Sequence, residues 1–344
     1  MQDDLVTVVI PAYNESASIG ACLDSVREQH YAHLQIVVVD GSSSDDTADI
    51  VRRHARDDDR LELLENPRRN IPSSLNLALD EARGRWLVRV DAHSTVGPEY
   101  VGTAVARLKE SGWAGVGGRK DGVGTTSAGR AIAVAMASRL GVGNSTYHFG
   151  TAVQEVDHLA FGAYALDALR SIDGWDETLT ANEDFELDHR LREAGQHLLF
   201  DPAMVIRWEC RQSIRDLFRQ YRRYGRGKVD VAWLHPGSLR LRHLAPPLFV
   251  AYAAFAAGTG LRHPRRLSLM LAPYVAGVLA ESLRAGRQLP CTRDRLQLPA
   301  AFVAMHTGWG LGFWWGIGST LPRRLASRPP APQELSRTSL GKRV

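Results

Sequence analysis

The chain has 344 residues, 44% of them hydrophobic, enough for one large core or two ordinary ones, which excludes disorder over most of its length. Its three cysteines, Cys22, Cys210 and Cys291, lie far apart without paired spacing, which excludes a disulfide framework and a cysteine-based zinc site and points to a reducing compartment. The formal charge is +4, gathered in "RQYRRYGRGK" (219–228), "RHPRR" (262–266) and the tail, a distribution that suits an anionic surface or substrate and not nucleic acid.

In chain order, "MQDD" leads straight into the strand "LVTVVI" without a charged-then-apolar leader, so the N-terminal domain is expected in the cytoplasm. Apolar runs then predict strands at 5–10, 34–40, 61–65, 85–91 and 113–117, alternating with helices near 16–29, 45–56, 72–83 and 98–110. Repeated β-α units imply a doubly covered, mainly parallel sheet that binds ligands beyond the carboxyl ends of its strands. Further on, a helix is expected over 128–141, a loop at "GNSTYHFG", strands near 156–161 and 197–206, a helix over 183–194 and a basic helix from Ser213. Three charge-free runs follow, 244–261, 267–280 and 296–322. A helical span needs roughly 20 apolar residues, so the first and third qualify by length, the third weakened by its glycines and His306. Arginine-rich loops on successive sides cannot all be cytoplasmic, which implies that some of these helices lie in the interface or re-enter. Buried helices of a soluble domain would give the same runs. The Pro/Ser/Arg-rich tail lacks periodicity and is expected to be disordered.

Four polar clusters sit at the ends of these elements. "VTVVIPAYNE" and "IVVVDGSSSDDT" bring Ala12, Tyr13, Asn14 and Asp40 to one sheet edge, where Asp40 could accept from a nucleobase or ribose, or simply cap the turn before Thr47. "RVDAHS" places Asp91 and His93 two residues apart at a strand end. A carboxylate oxygen with an imidazole nitrogen suits Mn²⁺ better than Mg²⁺, but a helix cap or a satisfied histidine would look the same. "TANEDFELDHRLREAG" starts a helix with Asn182 as its cap and Glu183, Asp184 and Glu186 in its first turn; the macrodipole favours such acids, and Asp184 could equally be a general base. In "RQYRRYGRGK", Gln220, Arg223 and Tyr224 share one helical face where Arg223 could meet phosphate, while Arg222, Arg226 and Lys228 suit anionic lipid.

The order "PAYNE", "VVVDGSSSDDT", "RVDAHS", "NEDFELDHRLREAG" and "QYRRY" resembles the inverting family-2 glycosyltransferases, which have the nucleotide-diphosphosugar transferase (GT-A) fold. With "LAFGAY", "HLAPP" and the apolar helices, the run is most similar to the membrane-bound succinoglycan-type exopolysaccharide glycosyltransferases. The resemblance implies a catalytic domain over 1–210, a basic amphipathic helix and acceptor-side connector over 211–243, membrane-associated helices over 244–322 and a tail over 323–344. It further implies a nucleotide pocket of Pro11, Ala12, Tyr13, Glu15, Asp40 and Asp91, a divalent cation (Mn²⁺ or Mg²⁺) at Asp91 and His93, and Asp184 as base. Glu183, Gln220, Arg223 and Tyr224 would face the acceptor or the diphosphate. His93 replaces the family's usual second acid and Tyr224 its usual Trp.

The expected activity is transfer of a sugar from a nucleotide diphosphosugar, a UDP-sugar ahead of a GDP-sugar, to a hydroxyl of a lipid-linked saccharide. It would occur at the cytoplasmic side of the inner membrane. A sugar-nucleotide-forming nucleotidyltransferase would want a glycine-rich basic loop where "PAYNESAS" stands, and a non-catalytic membrane scaffold would leave Asp184 without a purpose.

Overall fold

A computed structural model describes residues 5–110, 112–260 and 262–326. The strands are β1 Val6–Ala12, β2 Leu34–Asp40, β3 Leu61–Glu65, β4 Trp86–Arg89, β5 Ser94–Val96, β6 Trp113–Val123, β7 Gln154–Glu155, β8 Ala163–Ala165 and β9 His197–Glu209. Helices α1 Ile19–Arg27, α2 Thr47–Arg56, α3 Ile71–Glu81, α4 Tyr100–Lys109, α5 Ser127–Met136, α6 Arg139–Val142, α7 Leu166–Ser171 and α8 Glu183–Glu193 cover the sheet. Then come α9 Ile214–Leu234, α10 Leu241–Gly260, α11 Pro264–Ala285, α12 Thr292–Arg295 and α13 Leu298–Ala326.

The nine strands form one sheet in the order β3-β2-β1-β4-β8-β6-β9-β5, with β7 added against β9. Alternation in the β1 and β2 runs sends Val8, Ile10, Ile36 and Val38 to one apolar cluster and Val9, Val37 and Val39 to another, so both faces are covered as expected. The sheet is mainly parallel as expected, since the long pairings are the parallel ones, with short antiparallel additions. Four pairings are parallel, and four are antiparallel through the short strands β5, β7 and β8. The expected strand at 156–161 is replaced by β7 and β8 on either side of it, and the expected helix over 128–141 breaks at Ser138, which caps α6 through Leu140 N at 3.1 Å.

Among the described residues only α11, continued to Gln288, is long and apolar enough to cross a membrane. This reverses the expectation from charge-free runs, because the helix extends past its uncharged stretch at both ends. α13 lies along α9. Cβ atoms added at Gly308, Gly312 and Gly316 would come within 2.7, 2.0 and 2.9 Å of Phe218 O, Arg222 O and Val229 Cβ. The glycines that weaken α13 as a span are thus its seam against α9. α13 continues through 326, so the expected tail begins later than 323, and the rest of it lies outside the described residues.

Candidate active site

The ends of β1 and β2 are laced into one ledge. Gly41 N donates to Ala12 O at 2.8 Å, Asn14 N to Ser43 Oγ at 2.9 Å, Ser44 N to Asn14 Oδ1 at 2.8 Å and Glu15 N to Thr47 Oγ1 at 2.8 Å. Asn14 and Ser42 take left-handed backbone angles (φ 54° and 57°) to make this turn. Asp40 is 3% exposed, and both its oxygens accept from Ser43, Oδ2 from N at 2.9 Å and Oδ1 from Oγ at 2.5 Å. Its carboxylate therefore shapes the turn, while Tyr13 stands 50% exposed above it.

Beside the ledge, a cavity of about 550 Å³ separates the sheet edge from α9, α10 and α13. Asp91, His93, Glu183, Asp184, Gln220, Arg223 and Tyr224 line it; Pro11, Ala12, Tyr13, Glu15 and Asp40 belong to the ledge outside it. Arg89, which sequence patterning passes over, ties the site together. It is 3% exposed, with Nε donating to Asp91 Oδ1 at 3.0 Å, and Nη1 to Asp184 Oδ1 at 2.6 Å and Glu183 Oε1 at 3.4 Å. A lone arginine in the apolar strand "WLVRV" is the signal that could have found it, since an unpaired buried guanidinium is prohibitively costly.

Burial pushes the Asp184 carboxyl up to about 6 against the pull of Arg89, with Glu183 and Asp188 adding to the rise. Trp175 Nε1 also donates to its Oδ1 at 3.3 Å. For Asp91, burial works in the same direction, but Arg89, His93 and Lys120 outweigh it and hold the carboxyl below the usual range. Lys120 is the second residue missed from sequence. Its Nζ lies 3.9 Å from the Trp208 ring centroid and 4.4 Å from that of Phe161, and burial lowers it to about 8 while Asp91 pulls the other way.

The other acids of the "EDFELD" run belong to the frame. Asp188 accepts from Tyr164 Oη at 2.8 Å and Leu159 N at 2.7 Å; Glu186 pairs with Arg190 at 2.7 Å. Asn182 occupies the cap position of α8 but makes no capping bond. It is left-handed (φ 64°), and its Nδ2 donates to Tyr224 O at 3.0 Å, fastening α8 to α9. Gln220 Nε2 donates to Tyr224 Oη at 2.9 Å, so the predicted α9 face does turn to the cavity. Arg222 and Arg226 are exposed as expected, but Lys228 is not a lipid-facing residue; it is 1% exposed and lines the cavity.

Both ring nitrogens of His93, expected beside Asp91 on a cation, are engaged by protein groups. Trp208 Nε1 can only donate, so His93 Nε2 accepts from it at 2.7 Å, and the ring hydrogen sits on Nδ1, which donates to Glu15 Oε1 at 3.1 Å. A bond from either nitrogen to a cation requires one of these contacts to break. Among the described residues no group of three or more His, Cys, Asp or Glu side chains is placed to hold a metal ion without a ligand's help. Asp91 is a donor that fits a hard divalent ion whose further oxygens a ligand would supply.

Sequence-family comparison matches residues 7–158 to Glycosyl transferase family 2 and residues 86–283 to Glycosyl transferase family group 2. The chain is 31% identical to succinoglycan biosynthesis protein ExoA of Rhizobium meliloti, covering 89% of this chain and 93% of that one. It is 22% identical to a dolichyl N-acetyl-alpha-D-glucosaminyl phosphate 3-beta-D-2,3-diacetamido-2,3-dideoxy-beta-D-glucuronosyltransferase of Methanococcus voltae, over 91% and 97% of the two chains. The fold matches the mannosyltransferase of Pyrobaculum calidifontis solved with GDP-Man and Mn²⁺, with a TM-score of 0.63 and 22% identity over 89% of each chain. A GT-A sheet, and a match that runs through both the ledge and the cavity, place the chain in the family 2 glycosyltransferases.

Proposed function

We propose that the chain transfers a sugar, with inversion, from a nucleotide diphosphosugar to a hydroxyl of a lipid-linked saccharide, with Asp184 as the general base. The observation that carries this is the buried Arg89 clamp. It holds one carboxylate at the strand end and another at the start of α8 on opposite sides of a single guanidinium, within the cavity. The base and ribose would lie on the ledge of Pro11, Ala12, Tyr13, Glu15 and Asp40, with the half-exposed Tyr13 ring free to stack.

Both bonds from Arg89 and Trp175 fall on Asp184 Oδ1, leaving Oδ2 to take the acceptor proton. As the acceptor's hydroxyl oxygen gives its proton to Oδ2 and attacks the anomeric carbon, the bond to the departing phosphate oxygen breaks, and its electron pair leaves with the nucleoside diphosphate. Lys120 and Arg223, cations lining the same cavity, would stabilise that charge. A Mn²⁺ or Mg²⁺ ion held at Asp91 and completed by diphosphate oxygens would supply Lewis-acid stabilisation there. His93, pinned between Glu15 and Trp208, would orient the strand end beside it. Glu183, Gln220 and Tyr224 would border the acceptor. The P. calidifontis enzyme's GDP-Man supports a nucleotide-sugar donor, and the M. voltae relative's dolichyl phosphate substrate supports a lipid-linked acceptor at a membrane. The exposed leucines of α11 (Leu269, Leu279, Leu283) suit attachment to the inner membrane, with the catalytic domain on its cytoplasmic side.

The test is nucleoside diphosphate release from a panel of UDP- and GDP-sugars by the detergent-purified chain, with Asp184→Asn alongside. Release by the wild type that falls about 10²- to 10⁴-fold in the variant is the expected result. Unchanged release removes Asp184 as base, and formation of nucleoside triphosphate from the sugar nucleotide when pyrophosphate is added would indicate a nucleotidyltransferase.

A further inference from the structure

A second cationic group lies in the cavity and takes no part in the scheme above. Lys228 on α9 is 1% exposed, and its Nζ has no hydrogen-bond partner among the described residues; Nζ sits 3.2 Å from the Phe185 ring centroid and lines the cavity. A cation–π contact offsets only part of the cost of burying an ammonium that donates no hydrogen bond. Burial lowers Lys228 to about 6, with Arg242 adding to the fall and Asp157 opposing it. Arg242, at the start of α10, lines the same cavity. Its Nη2 donates to Asp157 Oδ2 at 3.1 Å and its Nη1 to Asn144 Oδ1 at 2.9 Å.

The charges that dominate this pair differ from those around the Arg89 clamp. The charges that act most on Lys228 are Arg242, Asp157, Arg240 and Arg192, whereas those acting on Lys120 are Asp91, Arg89, Asp184 and Arg211. The cavity wall continues from Arg242 into apolar groups of α10 and α13, among them Ala245, Pro246, Phe249 and Trp309. An anion bound there would raise Lys228 back into its charged form, and an apolar wall adjoins it.

We propose that Lys228 and Arg242 bind a phosphate group attached to an apolar chain, the phosphate through which the acceptor saccharide is joined to its lipid. This rests on the glycosyltransferase reading for its choice of acceptor but not for its ligand chemistry. The site would fix how far into the cavity the acceptor sugar reaches, and so which hydroxyl meets Asp184.

The test is binding without turnover, by titration calorimetry on the full chain in detergent, using farnesyl diphosphate, farnesol, inorganic pyrophosphate, UDP and GDP. The wild type is expected to bind farnesyl diphosphate roughly tenfold to hundredfold more tightly than farnesol, the worth of charge-assisted hydrogen bonds to one anion. Lys228→Met, which removes an unpartnered ammonium and keeps its volume, should close that gap while leaving farnesol and nucleotide binding unchanged. Arg242→Gln should narrow it and serves as the second variant if Lys228→Met does not fold. A wild type that binds the two lipids equally overturns the proposal, as does a gap that survives both substitutions. Loss of UDP or GDP binding in step with farnesyl diphosphate would give the phosphate to the donor and would also overturn it. Because no step needs catalysis, failure of the transfer scheme leaves these outcomes readable.

Discussion

In the proposed scheme Asp184 is the base and Arg89 holds it, and each makes a prediction at its own scale. A base works only when deprotonated, and burial lifts the Asp184 carboxyl to about 6. Turnover should therefore fall as pH drops through about 6, about tenfold per unit below it, and level off above it; Asp184→Asn should lose this acid limb along with its activity. A pH profile of kcat/KM for the acceptor checks this. Arg89→Met leaves Asp91, Glu183 and Asp184 sharing a buried site without their common cation. Removing one partner of a buried ion pair costs about 3–5 kcal/mol, to be read from chemical denaturation. Since Arg89 lowers Asp184, its loss should move the acid limb to higher pH in whatever fraction stays folded. Asp91, Asp184, Gln220, Arg223 and Tyr224 were legible as candidates because each lies at the end or on one face of a periodic element. Arg89, Lys120 and Lys228 were not, because what matters about them is which distant groups surround them. For His93 the sequence shows an imidazole near a carboxylate, but not that Trp208, 115 residues on, occupies its lone pair.

At the scale of elements, the seam between α9 and α13 decides how the cavity is roofed. Gly312 meets Arg222 O so closely that even a methyl at 2.0 Å forces the backbones apart, whereas Gly318 on the same helix has nothing within 4 Å. Gly312→Ala is expected to lower stability by about 1–3 kcal/mol, the usual cost of overpacking, and to impair activity by displacing the Gln220–Tyr224 face. Gly318→Ala should be neutral or stabilising by up to about 1 kcal/mol, from helix propensity alone. Thermal melts of both variants in detergent separate a packing seam from a general intolerance of change in this helix. Elements with strong periodicity were readable in advance: β1 to β4, α8, and α9 down to its cap, where Ser213 Oγ accepts from Asp216 N at 3.1 Å. The strands β5, β7 and β8 were not, because they have three, two and three residues and exist only through the partners they pair with. Those three strands supply the sheet's antiparallel additions.

For the whole molecule, the sheet, the ledge and the C-terminal helices enclose one reaction volume with two distinct ends. The Arg89 clamp stands at the end of β4 with Lys120 of β6 lining the same cavity, and Lys228 and Arg242 stand where the wall turns apolar. A donor laid on the ledge and an acceptor entering from the helices would meet at Asp184 from opposite sides, the geometry that a single displacement demands. Transfer through a covalent sugar intermediate would need a protein nucleophile on the face opposite the leaving diphosphate and an acceptor arriving on the leaving-group face, with two displacements. The two routes differ in one property of the product. The most direct measurement is therefore the anomeric configuration of the newly formed glycosidic bond, read by proton NMR from the coupling at the anomeric carbon, against that of the donor consumed. Inversion is the result predicted here; retention would contradict Asp184 as the base of a single displacement.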